Sequence, residues 1–227
     1  MINNSLVANS MGMMSESTLP LIFGIHLDVF LMLVSGVFYI ICALFVYRSY
    51  KKSPSELVGA LIAFLVYQSI NMFFMGIEMV TMNMLYSNIA SLSVFIGSAY
   101  MLKFPFSSFS KGTRQSLFLL SLVVVLGVFY WFMQTEERQM DLMSFTLWYD
   151  MVVNGIIVGG FMLVIALKTV EKWLKIKAYG SSAGVVSCCV VAGGAMISGQ
   201  MLLSAVVGFL APVIILASLF IAKKTQA

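Results

Sequence analysis

Asp150 and Asn154 stand four residues apart in the run FTLWYDMVVNGIIVGG, an otherwise almost wholly apolar stretch. In a helix that spacing places a carboxyl and an amide on one face, one turn apart. An acid in such a run is costly at bilayer depth and turns inward, where it can hold a cation or a proton, or accept hydrogen bonds from a ligand. Gln68 and Asn71 are three residues apart, and Glu78 comes seven residues later on the same face. Asn83, Ser87 and Ser91 recur every four residues, with Asn88 beside them. Asp150, Asn154, Gln68, Asn71, Asn88 and Glu78 are therefore the candidate ligand- or ion-binding residues, with Asp150 the deepest charge. The competing reading is that these groups bond to one another across helices and only fix the packing. For Glu78, as for His26 and Asp28, solvated charge near the headgroups is the simpler account.

Other chemistry has little to work with. The only histidine, His26, leaves no partner for an in-chain bis-histidine haem or a histidine-rich metal centre. No phosphate-binding loop, HExxH helix or GxSxG elbow occurs. No catalytic residue, metal or cofactor is expected, and the chain is not expected to be an enzyme. Cys42, Cys188 and Cys189 fall inside apolar runs and read as small buried residues. The eighteen methionines read as lipid-compatible filler, not as a copper relay.

The elements that must position the polar residues follow from composition and charge. Of 227 residues 61% are apolar and 10% charged, with a mean hydropathy of +1.00, which is membrane-protein composition. Runs of about 20 apolar residues can span a bilayer. They cover about 25–47, 56–79, 82–102, 116–132, 142–167, 183–199 and 201–222. The stretch from Ser55 to Leu102 would be about 70 Å long as one helix, twice a bilayer, so it turns back between Gly76 and Asn83. Ser181 to Ala222 must turn likewise at Ser198, Gly199 and Gln200. Twelve of the thirteen Lys and Arg residues then fall on one side, after spans one, three, five and seven, and only Arg138 lies opposite. Cationic loops stay in the cytoplasm. The expected fold is thus all-α: a seven-transmembrane helix bundle with its N-terminus outside and its C-terminus cytoplasmic. It comprises an extracytoplasmic tail (1–24) without a signal-peptide pattern, the bundle (25–222) and a cytoplasmic tail (223–227), and its expected seat is a bacterial plasma (inner) membrane. Ser53, Pro54 and Glu56 read as a capped helix start.

Gly155 and Gly159 form a GxxxG pair, and span six is rich in Gly and Ala, so close helix approach within the bundle is expected there. Pro212, four residues after Gly208, should kink span seven. The stretch KTVEKWLKIK, with Lys168, Lys172, Trp173, Lys175 and Lys177, suits contact with anionic lipid of the cytoplasmic leaflet or with a partner. Partners are thus the lipid bilayer and a candidate membrane or cytoplasmic effector protein; the basic residues, in short clusters between apolar runs, read as loops at a membrane surface and not as a nucleic-acid site. In topology alone the N-out seven-span layout resembles receptors, PQ-loop sugar transporters and the membrane sensor regions of some bacterial histidine kinases. The Pro-Gln pair and receptor signatures are absent, and no lysine precedes Lys223 in span seven to carry a retinal. Two functions fit: a sensory or partner-binding module with an outward polar cavity, or a small secondary transporter or ion pathway using Asp150.

Overall fold

A computed structural model describes residues 21–22, 24–52 and 55–226. Among them seven helices are long and apolar enough to cross a membrane. They are α1 (Leu27–Lys52), α2 (Glu56–Thr81), α3 (Met84–Phe106), α4 (Lys111–Phe132), α5 (Glu136–Lys168), α6 (Lys172–Ile197) and α7 (Met201–Gln226). This is the all-helical architecture of a polytopic membrane protein. A short antiparallel hairpin, β1 (Leu21–Ile22) and β2 (Ile25–His26), precedes α1 and turns at Gly24, whose φ of +80° suits glycine. Ile25 and His26 thus belong to this hairpin and not to the first span. The rest of the expected 1–24 tail, with Ser53 and Pro54, lies outside the described residues.

Local chemistry sets the helix ends. Met82 adopts a left-handed conformation (φ 53°), and its N–H donates to the Glu78 carbonyl at 2.7 Å, closing α2. Asn83 then caps α3 by accepting the Leu85 N–H at 2.9 Å. The first predicted reversal is therefore a two-residue turn. The second is also present, with Gly199 at φ +74° between α6 and α7. Thr135 accepts from the Arg138 N–H at 3.3 Å, and Glu136 and Glu137 occupy the first turn of α5, where negative charge favours a helix N-terminus. Ser110 caps α4, and Ser55, not Ser53, holds the cap position of α2.

Three helices start earlier than their apolar stretches: α4 at Lys111, α5 at Glu136 and α6 at Lys172. Apolar length reports only what must sit in hydrocarbon, whereas helical hydrogen bonding continues into polar, capped turns. The basic stretch is consequently not one surface segment. It breaks at Thr169–Glu171, and Lys172, Trp173, Lys175 and Lys177 form the first turns of α6.

Short connections make successive helices antiparallel, so the basic clusters gather at one end of the bundle. Six helices close a ring in the order α1, α2, α3, α5, α6, α7, and α7 returns to α1. Helix α4 stands outside the ring against α3; Val125 and Phe132 are its buried residues. It is fastened by aromatic contacts, Phe95 to Phe129 and Tyr100 to Phe118, and by an Arg114–Glu56 ion pair at 3.1 Å. Towards the basic end the ring is filled by an apolar core including Tyr39, Val46, Leu61, Phe64, Met101, Met162 and Ile215.

Small residues set the closest contacts, as expected. A Cβ added at Gly155 or Gly159 would overlap Val190 or Val186 of α6, and one at Gly184 would overlap Ile215 of α7. Pro212 is buried within the continuous α7. Having no N–H, it cannot donate to the Gly208 carbonyl one turn before it.

Candidate functional site

The ring encloses a cavity of about 50 Å³ in the half of the bundle away from the basic end. A water needs roughly 10–15 Å³ on this measure, so a few waters or one ion would fill it. Asp150 reaches it from α5, Gln68 and Asn71 from α2, Cys188 from α6 and Ser204 from α7. Helical spacing puts Gln68 and Asn71 together, and the Asn71 amide donates to Gln68 Oε1 at 3.2 Å.

Asp150 is buried at the junction where the α-helical part of α5 passes into a π-helical stretch, Met151–Val158. A second π-helical stretch, Ser187–Ala192, faces it on α6 and carries Cys188 and Cys189. Each π-turn inserts a residue and rotates the next turn of the helix, a local irregularity frequent at functional sites. Asn154 Nδ2 donates both to Asp150 Oδ1 and, across to α3, to Ser98 Oγ at 2.7 Å. Its own Oδ1 is buried without a partner among the described residues. Gln68 and the Cys189 thiol also approach the Asp150 carboxyl group. Deeper, the buried Tyr39 hydroxyl lies beside Cys188. Among the described residues no lysine, arginine or histidine lines the cavity, so a charge on Asp150 has no cationic neighbour among them and calls for a bound cation or a proton.

Of the six sequence-predicted ligand residues, Asp150, Gln68 and Asn71 line the cavity, and Asn154 stands directly behind Asp150. Asn88 and Glu78 are half-buried and do not line it. Asp28 is buried, with Oδ1 accepting the Val29 N–H at 2.9 Å, so it is not the solvated surface charge expected of it. At the basic end Lys168 and Lys172 are exposed and Lys175 half-buried, and the Lys177 ammonium lies 4.5 Å from the Trp173 ring centroid.

Sequence reasoning missed most of the wall. Met32, Met72, Met75, Met143 and Met196 all line the cavity, as do Thr146 and Cys188. These methionines are scattered in sequence but gathered in space. Only their depth, equal to that of Asp150 or nearer the same helix ends, hinted at it. Comparison with protein-family models, with curated proteins and with solved structures finds no match.

Proposed function

We propose that the protein is a non-catalytic sensory or partner-binding module of a bacterial plasma membrane, with its N-terminus outside, its C-terminus in the cytoplasm and its cavity open to the exterior. Occupancy around Asp150 shifts the helices, and the basic cytoplasmic end passes the change to an effector on another chain. The observation that carries this is the asymmetry of the ring. The cavity with its carboxyl and amide groups occupies the half away from the basic end, and the other half is filled mainly by an apolar core. A receptor needs one accessible half, whereas a transporter must open both in turn. The charge asymmetry supports the orientation.

A second reading, a proton or ion pathway, draws on one specific observation. The Asp150 carboxyl, the Cys189 and Cys188 thiols and the Tyr39 hydroxyl are buried neighbours that lead from the cavity into the core.

Both readings meet in one set of measurements. In a background lacking Cys42, Cys188 and Cys189, a cysteine at Ser204 should react with a small impermeant reagent from the side of residue 10 and not from that of residue 225. Reactivity from neither side removes the cavity reading. Proteoliposomes that move protons or a solute, with the flux lost in a folded Asp150→Asn variant, would replace the sensor by the transporter.

A further inference from the structure

Six of the sixteen residues lining the cavity carry sulfur, although the whole chain has only eighteen Met and three Cys in 227 residues. This convergence exceeds what composition alone supplies. The sulfur side chains also come from different walls: Met32 on α1, Met72 and Met75 on α2, Met143 on α5, Cys188 and Met196 on α6. Ordinary apolar packing needs no such selection, because Leu fills similar volume.

We propose that the cavity binds one soft monovalent metal cation, of the Cu(I) or Ag(I) class, ligated by methionine thioethers and neutralised by Asp150. Thioether and thiol donors select soft ions, whereas hard cations demand a shell of oxygens. The oxygen groups present are partly committed: Gln68 Oε1 accepts from Asn71, and the Thr146 hydroxyl donates to the Leu142 carbonyl at 2.7 Å. Charge selects the valence. Thioethers are neutral, so an ionised Asp150 would supply one negative charge to a cavity lined by no basic residue among the described ones; a monovalent ion balances it, and a divalent ion would leave a buried net charge. No group of three or more His, Cys, Asp or Glu that could hold a metal ion occurs among the described residues, so any metal here would depend on the thioethers. The cavity's size suits an ion and excludes most organic ligands, whose pockets run to several hundred Å³.

This assignment rests on the reading of the cavity as an exterior binding site, and the experiment separates the two. The full chain in lipid nanodiscs is titrated anaerobically with Cu(I) against a chromophoric Cu(I) chelator. One Cu(I) per chain should be retained, with a sulfur-dominated X-ray absorption shell. The triple variant Met72→Leu, Met143→Leu, Met196→Leu conserves volume and should bind at least tenfold more weakly, as should Asp150→Asn. The double variant Met140→Leu, Met201→Leu, at exposed positions outside the cavity, should bind like the parent. Equal metal-free thermal midpoints establish that the variants fold. If the parent leaves all Cu(I) with the chelator, if the triple variant retains it, or if sodium displaces it, the assignment is overturned. If the Ser204→Cys probe still reacts from the exterior in that event, the cavity reading survives without the metal; if it does not, both fall.

Discussion

Asn154 does more for the site than its chemistry suggests, because a single amide nitrogen ties α5 to α3 and holds the Asp150 carboxyl. Asn154→Leu removes both bonds and takes one of its donors from a buried carboxyl. The expected loss is about 1–3 kcal/mol, read as a lowered thermal midpoint in detergent. Asn88→Leu, at a half-buried position outside the cavity, should change stability by less than about 0.5 kcal/mol. Equal effects of the two substitutions would remove Asn154 from its structural role. At this scale the sequence was legible where polarity is conspicuous. Asp150, Asn154, Gln68 and Asn71 stand out in apolar runs, and helical spacing alone puts each pair on a face. Met75 and Cys188 were not legible, because an apolar side chain is equally at home against lipid, core or cavity. Asp28 was misread for a related reason: nearness to a helix start does not report burial.

At the level of helices, the glycines of α5 have opposite surroundings. Gly155 packs against Val190 of α6, whereas Gly160 faces open space. Gly155→Val should overpack the junction of the two π-helical stretches and cost about 1–3 kcal/mol. Gly160→Ala should be neutral or raise the midpoint, since Ala is the better helix former. A chemical or thermal unfolding series on the two variants checks the contrast. The seven helices were readable from apolar length, and their two tight reversals from the impossibility of helices of roughly 60–70 Å crossing one bilayer. The π-helical stretches were not, since an extra residue in a turn leaves apolar composition unchanged. They alter the phase of Asn154, Cys188 and Cys189, the part of the site that periodicity arguments describe least well. The largest misplacements of helix starts, at α4, α5 and α6, ran in one direction, because polar capped turns lie beyond any hydrophobic window.

On the scale of the whole chain, the ring order joins α3 to α5 and leaves α4 outside, a non-sequential contact that no local pattern encodes. The uneven charge of the two ends was legible and bears on lipid. Replacing Lys172, Lys175 and Lys177 together by Gln should reduce the stabilisation gained on moving from neutral to anionic nanodiscs, by about 1 kcal/mol per lysine near the surface. An unchanged lipid preference would place the recognition elsewhere.

Helix α4 contributes few buried residues, yet its deletion is expected to be costly. Successive helices alternate in direction, so excising 111–132 should invert α5, α6 and α7 relative to α1–α3 and bring their lysines to the end where Arg138 now stands. Asp150 could no longer meet Gln68 at the same depth. An unrelated leucine- and alanine-rich passage of equal length, retaining the few anchoring rings, should therefore restore a folded bundle in a thermal melt, whereas outright deletion should not. The value of α4 lies in parity: it is an extra stitch that turns the needle the right way round.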